Sequence, residues 1–401
     1  MKIALFTETF LPQVNGVVRT IEKIIHHLED NGHEVLLFAI GEGEFEYSKT
    51  RVVRLEGIPF NFYKELHIVK PEDKWLCKLI ENDIMQTPLV ILQSLIPSRH
   101  SVVERELQDF KPDLIHLATP VTLGAIGIYY VDQMKIPCLA TFHTDLASYA
   151  PMYQIPYLEE VINQGTRLIY SRVGMVLAPS QSSKAQLERV GLEKVGVFGR
   201  GVDSVMFDPK KRDRSILAEY GLSETKLTLL YVGRLAEEKS LPELIKAFNS
   251  LSEKHDIQLL IVGDGPIRKE LEDTLDKSDG YSAFTGIKKG EELAKLYASS
   301  DIFVFPSRTE TFGQVVQEAM ASGLPVVGYD SPGVKDLVEH GKTGYLAKKD
   351  GLSLQEGVEK LINSESLRKQ YGEKAREISE SKTWKNILNG LVNEYEALMI
   401  K

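Results

Sequence analysis

The sequence predicts an α/β protein built from two tandem, doubly wound domains that face each other across a cleft. Short apolar segments typical of buried parallel strands alternate with segments of helical periodicity, and this alternation occurs in both halves of the chain. The length of 401 residues also exceeds the roughly 250–300 residues at which a single hydrophobic core stops growing. The expected parts are a first domain over 1–200, a second over 201–380, and a C-terminal helix within 381–401 that packs back on the first domain.

The first half opens with a strand–helix–strand unit. Residues 2–6 have the pattern of a buried strand, residues 17–28 repeat apolar side chains at helical spacing, and residues 35–40 have the pattern of a second strand. The other elements predicted in this half are strands at 114–117, 138–142 and 173–178 and helices at 98–110 and from Ser180 onward. Residues 41–93 have no clear periodicity.

The second half repeats the alternation. A strand at 227–232 precedes a helix that begins near Pro242. The later elements predicted in this half are strands at 258–262, 302–305 and 325–327 and helices from 267 and over 314–321. The polar segment 201–223 is predicted to link the domains, and residues 384–399 predict an amphipathic helix at the end of the chain.

Composition and charge argue against several classes of protein. The net charge of −9 is spread along the chain without a basic tail, which argues against nucleic-acid binding. Cys77 and Cys138 are far apart in apolar surroundings, so neither a disulfide framework nor a thiolate metal site is expected. No segment approaches the roughly 20 apolar residues of a membrane span, and the N-terminus lacks a signal-peptide pattern. We therefore expect a cytoplasmic protein, with contact to the inner face of the cell membrane as an open alternative.

Ligands of open parallel sheets bind beyond the carboxyl ends of the strands, so the loops at those ends are the candidate sites. In the first half, Asn15 and Gly16 open a helix whose first N–H groups favour an anion, although simple turn chemistry explains the pair equally well. His143 and Asp145 follow another strand, where the imidazole could contact a sugar hydroxyl. A lone histidine is more often structural.

The loop after the strand at 227–232 contains two cations. Arg234 can bind two phosphate oxygens with its planar guanidinium, and Lys239 adds a compact positive charge five residues later. The pair suits a departing diphosphate. The alternative is a pair of solvated surface cations beside the acidic residues Glu237 and Glu238.

The loop after the strand at 302–305 leads into the most specific motif. Backbone N–H groups of residues 312–314 would point from the start of a helix at a sugar or phosphate, and Gly313 removes side-chain bulk there. Glu318, about one turn into that helix, could accept both hydroxyls of a ribose. The alternative for Glu310 and Glu318 is ordinary negative charge near a helix N-terminus. The sequence has no Asp-x-Asp triplet and no His, Cys or carboxylate cluster at metal-ligand spacing, so no metal is expected.

Together these segments resemble a known protein family. The sequences GRLAEEK at 233–239, VGDGP at 262–266 and ETFGQVVQE at 310–318 are similar to the retaining glycosyltransferases of family 4, which have the GT-B fold of two Rossmann-like domains. The segments TFLPQVNGV at 9–17, HTD at 143–145 and RGVD at 200–203 also match, so the resemblance covers nearly the whole chain.

The resemblance implies a role for each candidate residue. The catalytic set would be His143, Arg234, Lys239 and Glu310. The donor-binding set would be Gly16, Gly263, Ile287, Phe312, Gly313, Gln314 and Glu318. The acceptor side would include Asn15, Asp145 and Tyr149. In this scheme the two cations neutralise the diphosphate, Glu318 holds the ribose, Glu310 grips the transferred sugar and His143 lines the reaction centre, with neither a metal nor a cofactor beyond the nucleotide-diphosphate sugar.

Within family 4, the pattern is most similar to mannosyltransferases of glycolipid assembly and to sulfoquinovosyl-diacylglycerol synthases. This similarity implies a retaining α-hexosyltransferase that uses GDP-mannose or a UDP-hexose such as UDP-glucose, with a glycolipid or diacylglycerol-type acceptor. Transfer to a soluble acceptor, a nucleotide-sugar epimerase and a sugar-binding module are the open alternatives, whereas the missing GxGxxG argues against a dehydrogenase. The apolar and lysine-containing region 60–100 suggests contact with a membrane surface, and an ordinary packed helix pair explains it as well.

Overall fold

The computed structural model describes residues 1–13, 15–60, 63–70, 72, 99–118, 120–143, 145, 147, 158–275, 281–348 and 353–400. The chain forms two compact units. The first comprises Met1–Gly199 and Ile387–Lys401, and the second comprises Arg200–Asn386. Most of the region 60–100 that suggested membrane contact, including all of residues 73–98, lies outside the described residues, and so does Tyr149.

The first unit is a parallel sheet with connecting helices. Its strands are β1 (Lys2–Thr7), β2 (Glu34–Ile40), β3 (Glu46–Tyr47), β4 (Thr50–Leu55), β5 (Gly57–Phe60), β6 (Tyr63–Val69), β7 (Leu114–Ala118), β8 (Cys138–Thr141), β9 (Met175–Ala178) and β10 (Val195–Val197). Its helices are α1 (Gly16–Asp30), α2 (Ser101–Phe110), α3 (Thr122–Met134), α4 (Leu158–Tyr170) and α5 (Gln181–Arg189). In the described part of the chain the sheet order is β10-β9-β8-β7-β1-β2-β4-β3, with β3 and β4 antiparallel and β5 and β6 forming a separate antiparallel pair.

The second unit has the same construction. Its strands are β11 (Leu227–Val232), β12 (Ile257–Val262), β13 (Tyr281–Phe284), β14 (Ile302–Phe305), β15 (Val326–Tyr329) and β16 (Gly344–Ala347). Its helices are α6 (Ser215–Ala218), α7 (Leu241–Ser252), α8 (Arg268–Leu275), α9 (Gly290–Ser299), α10 (Gln314–Ala321), α11 (Val334–Leu337), α12 (Leu354–Ile362) and α13 (Glu365–Glu380). The strand order is β13-β12-β11-β14-β15-β16, and every neighbouring pair is parallel. The last helix, α14 (Trp384–Met399), begins in this unit, while its residues from Ile387 belong to the first.

The apolar pattern explains these elements. The interior of β1, from Ile3 to Phe6, is at most 1% exposed, because a central parallel strand is covered on both faces. In α1, the buried residues Val18, Ile21, Ile25 and Leu28 recur at helical spacing and face the sheet. The predicted α/β class with two doubly wound sheets is confirmed. No helix in the described part of the chain is long and apolar enough to cross a bilayer.

Two local expectations differ from the structure, and one segment without a predicted element contains strands. The helix expected from 98 begins at Ser101, and the segment 41–93, which has no clear periodicity, contains β3 to β6 in its described part. The expectation of a linker over 201–223 is wrong, because this segment is packed into the second unit. Leu217 is fully buried there, and the guanidinium of Arg214 is 2.9 Å from the Asp301 carboxylate. Its polar composition reflects these ion pairs rather than a free connection.

Candidate functional site

The loops that carry the candidate donor residues lie at one edge of the second sheet. Strands β12, β11 and β14 are adjacent and parallel, so the segments that follow them meet beyond their carboxyl ends. Two backbone hydrogen bonds tie the first two loops together. Leu235 N donates to Asp264 O at 2.9 Å, and Gly233 N donates to Val262 O at 3.0 Å. The predicted position of these loops is therefore confirmed within this unit.

Gly263 is required where these loops approach each other. A Cβ at this position would lie 1.9 Å from the carbonyl oxygen of Gly233, which no side chain can accommodate. Gly263 also pairs with Gly286 in an isolated bridge, so the loop after β13 joins the same edge. The neighbouring Ile287, a member of the predicted donor-binding set, is 67% exposed, which leaves a large apolar side chain in solvent at this edge.

Each of the two predicted cations has a carboxylate partner. Arg234 Nη2 lies 2.5 Å from Glu238 Oε1, and Lys239 Nζ lies 2.7 Å from Glu310 Oε2. The Arg234 side chain is 46% exposed, whereas those of Lys239 and Glu310 are 16% and 20% exposed. The Lys239–Glu310 pair therefore joins the loop after β11 to the loop after β14.

The Tyr231 side chain lies among these charges. Its hydroxyl donates to the carbonyl oxygen of Arg234 at 3.0 Å. Burial raises the pKa of Tyr231, the nearby carboxylates of Glu310 and Glu238 raise it further, and Arg234 acts in the opposite direction. The phenol therefore remains a neutral donor at the base of a cluster of two cations and two carboxylates, which we call the charged cluster: Arg234, Glu238, Lys239 and Glu310.

Helix α10 begins beside the charged cluster. Its N-cap is Gly313, whose φ of +87° lies in the left-handed region that favours glycine. Glu318 is 7% exposed, and the Tyr297 hydroxyl lies 3.2 Å from its Oε2. Phe312 packs against the core of the unit, and the Gln314 side chain donates to the carbonyl oxygen of Gly201 at 3.2 Å. The predicted donor-binding residues on this helix thus provide backbone N–H groups at its start and the carboxylate of Glu318 about one turn later.

In the first unit, Asn15 caps helix α1. Its Oδ1 accepts hydrogen bonds from Val17 N and Val18 N at 3.0 Å, and its Nδ2 donates to Thr9 Oγ1 at 3.1 Å. The N–H groups of Val17 and Val18, which were predicted to be available to an anion, therefore already donate to the Asn15 side chain. Asn before the helix is itself the signature of this role. Around Gly16, a Cβ would meet nothing within 4 Å, so this side of the helix start is open.

His143 and Asp145 follow β8 in the same unit. His143 is 6% exposed, and its Nε2 lies 2.9 Å from Thr141 Oγ1. Asp145 Oδ2 accepts a hydrogen bond from Gln186 Nε2 at 2.8 Å, at the wall of a small cavity that Phe142 and Tyr170 also line. Both side chains are thus held in place by neighbours of the first unit.

Glu8 was not among the residues selected from the sequence. It is 2% exposed, and its Oε1 accepts hydrogen bonds from Val121 N and Leu123 N at 2.8 Å and from Gly124 N at 3.2 Å. Glu8 therefore anchors the end of β1 to the start of α3. The only signal in the sequence is an acidic residue directly after a buried strand, and its partners are more than 110 residues away.

Glu8 makes stability depend on pH. Burial raises its pKa from 4.5 to about 7, and the backbone N–H groups that it binds oppose this shift only in part. Because the folded pKa lies above the unfolded value, the stabilising contribution is present below 4.5 and is lost as the pH rises through 7. We expect the free energy of unfolding of the wild type to fall by roughly 3 kcal/mol relative to Glu8→Gln over this range.

Urea unfolding of both proteins at several pH values measures this difference. Glu34→Gln is the control, because Glu34 is exposed on the neighbouring strand β2, and it should keep the wild-type pH dependence. A wild type and a Glu8→Gln variant with parallel pH curves would contradict the prediction.

The described residues contain no group of three or more His, Cys, Asp or Glu side chains that could hold a metal ion. The charged cluster can compensate negative charge directly, through a guanidinium and an ammonium in the loop after β11.

Known proteins are similar to this chain along its whole length. Residues 212–378 match the family described as "Glycosyl transferases group 1", and residues 83–205 match "Glycosyltransferase Family 4". The GDP-mannose-dependent alpha-mannosyltransferase of Mycolicibacterium smegmatis is 34% identical over 404 residues, which cover 100% of this chain and 98% of that protein. The alpha-monoglucosyldiacylglycerol synthase of Streptococcus pneumoniae is 26% identical over 358 residues, which cover 86% of this chain and 75% of that protein.

The fold has close structural counterparts. The sucrose-phosphate synthase of Thermosynechococcus elongatus superposes with a TM-score of 0.76 at 20% identity, over 100% of this chain and 99% of that one. The similarity in sequence extends over the full length of the mannosyltransferase, and the predicted family is confirmed. This chain belongs to glycosyltransferase family 4 and has the GT-B fold.

Proposed function

We propose that this chain is a retaining α-hexosyltransferase that moves a hexose from GDP-mannose or a UDP-hexose to a glycolipid or diacylglycerol-type acceptor. The observation that carries the proposal is the charged cluster, which places Arg234 and Lys239 in the loop after β11, at the carboxyl edge of the second sheet, with Glu310 on the neighbouring loop after β14. The names of the two relatives support the donor and the acceptor class, since one uses GDP-mannose and the other makes a glucosyl lipid.

The chemical demand of the reaction is to stabilise the charge of the leaving group. When the bond between the sugar C1 and the diphosphate oxygen breaks, negative charge builds up on that oxygen. A guanidinium and an ammonium nearby stabilise this charge most where water is excluded, and Lys239 is already largely buried. We assign Arg234 and Lys239 to the diphosphate.

The remaining candidate residues would hold the rest of the donor. Glu318 would accept hydroxyls of the ribose, and the backbone N–H groups of residues 312–314 with Glu310 would bind the hexose. The acceptor hydroxyl would attack C1 on the face that the diphosphate leaves, and its proton would pass to the departing phosphate oxygen. One C1–O bond forms as the other breaks, and the α configuration is kept without a metal or other cofactor.

His143 lies in the first unit, with Asn15, Gly16 and Asp145. We assign Asn15, Asp145 and Tyr149 to the acceptor side, His143 to the reaction centre and Gly16 to donor binding. A lipid acceptor would bring the protein to the inner surface of the cell membrane, which we include in the proposal.

A donor and acceptor panel tests the function. The purified chain would be incubated with GDP-mannose, UDP-glucose and related donors, with or without diacylglycerol-based acceptors in vesicles and with soluble sugars. We expect GDP or UDP release that depends on a lipid acceptor, and a product whose anomeric NMR coupling identifies the α linkage. EDTA should leave the rate unchanged.

Each alternative gives a different result in the same assay. An epimerase would interconvert nucleotide sugars without releasing a nucleotide diphosphate or consuming the acceptor. A binding module would be stabilised by a donor in a thermal melt but would release no nucleotide. A turnover that requires a soluble sugar and ignores the lipid would overturn the acceptor assignment.

A further inference from the structure

A chain of four buried polar side chains leads from the C-terminal helix to His143. The Tyr395 hydroxyl lies 2.7 Å from His116 Nδ1, His116 Nε2 lies 2.9 Å from Thr141 Oγ1, and Thr141 Oγ1 lies 2.9 Å from His143 Nε2. Tyr395, His116 and Thr141 are fully buried, and His143 is 6% exposed. We call this set the relay.

All members of the relay belong to the first unit but come from distant parts of the sequence. His116 lies in β7, Thr141 ends β8, and Tyr395 lies in α14, 279 residues beyond His116. Strands β7 and β8 are adjacent and parallel, and their pairing places His116 opposite Leu139 and Ala118 opposite Thr141. A buried tyrosine in a helix and a buried histidine in an apolar strand are both costly unless they are hydrogen-bonded, and the relay provides these bonds.

The direction of the hydrogen bonds follows from donor counting. Burial raises the pKa of Tyr395 and lowers that of His116 to about 3, so the phenol keeps its proton and the imidazole is neutral. The phenolic O–H needs an acceptor, and His116 Nδ1 is the partner that the structure gives it. His116 then carries its proton on Nε2 and donates to Thr141 Oγ1, whose own O–H is left to donate to His143 Nε2.

The opposite direction leaves a donor without an acceptor. If His143 Nε2 donated to Thr141, the threonine would donate to His116 Nε2 and His116 Nδ1 would donate to the Tyr395 oxygen. In the described part of the chain, His116 is the hydrogen-bond partner of the Tyr395 hydroxyl, so the phenolic proton would be left without an acceptor. An unsatisfied buried donor is expensive, so the first direction is the stable one.

We propose that Tyr395 is a positioning residue that fixes the tautomer of His143 through His116 and Thr141. With Nε2 held as an acceptor, neutral His143 carries its proton on Nδ1 and can act there only as a hydrogen-bond donor, for example to an oxygen of the transferred sugar. The importance of this tautomer for transfer rests on the proposed function. The tautomer itself is a property of the ligand-free chain.

The tautomer can be read by NMR of the full chain with ¹⁵N-labelled histidine, with the His143 signals assigned by a His143→Gln variant. We expect a pyridine-type shift for Nε2 and a pyrrole-type shift for Nδ1. Thr141→Val keeps the side-chain shape but removes the hydroxyl, so the Nε2–H form of His143 should appear. Thr141→Ser restores the hydroxyl and should restore the wild-type pattern.

The activity readout uses the same variants. Thr141→Val and Tyr395→Phe should lower kcat roughly three- to tenfold, the scale of one hydrogen bond, with little change in the donor KM. Thr141→Ser should recover the rate. Tyr130→Phe is the matched control: the Tyr130 hydroxyl bonds the backbone of His100 at 2.9 and 3.1 Å in the same unit, outside the relay, and its loss should leave the His143 tautomer unchanged.

The outcomes separate the relay from the function. A pyrrole-type Nε2 in wild-type His143, or an unchanged tautomer in both Thr141→Val and Tyr395→Phe, would overturn the relay even if the enzyme transfers sugar normally. If the tautomer shifts as expected but no donor in the panel supports transfer, the relay stands and the proposed function fails.

Discussion

Replacing Lys239 with alanine should lower kcat by roughly 10²–10³-fold, the usual cost of removing one group aimed at the charge of a transition state. Lys239 Nζ lies 2.7 Å from Glu310 Oε2, and its side chain is only 16% exposed. A cation in this position acts with little competition from water. The rate of nucleotide diphosphate release at saturating donor and acceptor measures the effect.

Lys239 has a second conceivable role, which a double-mutant cycle separates from the first. If the lysine only holds Glu310 in place, Lys239→Ala has no further effect in a Glu310→Gln background. If its ammonium binds the leaving diphosphate, the loss of kcat persists in that background. Lys342→Ala is the control, because Lys342 also pairs with a glutamate, Glu339 at 3.1 Å, but its side chain is 68% exposed. A Lys239→Ala enzyme with wild-type turnover would overturn the assignment of this residue.

The positions of the candidate loops could be predicted because they depend on local patterns. Buried parallel strands are continuous apolar segments, so the ends of β11, β12 and β14 were visible in the sequence. Gly313 after β14 marks a backbone turn into a helix, and the structure gives it a positive φ. The end of a strand and the start of the next helix together locate the loop at the carboxyl edge of the sheet. Arg234 and Lys239 lie in such a loop.

The partners of the charged residues could not be predicted, because they depend on distances between loops. Lys239 and Glu310 are 71 residues apart in the chain, and their pairing requires β11 and β14 to be neighbours. Sequence patterns alone therefore predict two separate roles for Lys239 and Glu310, although the two residues form one ion pair. The same holds for Asn15, whose contact with Thr9 and two N–H groups makes it a cap as well as a candidate contact.

Sequence patterns do not identify the two buried polar residues on which stability and the relay depend. Glu8 directly follows the apolar strand β1, and His116 lies within the apolar strand β7. Hydrophobic periodicity alone predicts no role for a single polar residue at such a position. Their hydrogen bonds run to Val121 and to Tyr395, 113 and 279 residues away. Only the three-dimensional structure shows which groups form hydrogen bonds with a polar side chain in such a strand. Those partners in turn determine its tautomer or ionisation state.

The second large effect concerns acid stability. Burial lowers the pKa of His116 from 6.5 to about 3, so the folded chain excludes a proton that the unfolded chain accepts. The stabilising contribution is fully present above 6.5 and is lost as the pH falls towards 3. The contribution of His116 to the free energy of unfolding should therefore decrease by about 1.4 kcal/mol per pH unit over this range, roughly 5 kcal/mol in all.

Urea unfolding followed by circular dichroism at several pH values measures this slope, with two transitions fitted if the two units unfold separately. The difference between the wild type and His116→Gln isolates the histidine, because the variant has no titrating group at this position. It also cancels the opposing contribution of Glu8, which both proteins share. His116→Gln should be less stable near neutral pH and should lose stability less steeply in acid.

Tyr395→Phe is the matched control for this slope. It removes the same 2.7 Å hydrogen bond between the phenol and His116 Nδ1 but leaves the buried imidazole able to titrate. We expect Tyr395→Phe to lower stability at neutral pH and to keep the steep loss in acid, whereas His116→Gln loses that dependence. If all three proteins had the same slope, His116 would take up its proton as readily in the folded chain as in the unfolded one, and the expected lowering of its pKa by burial would be wrong.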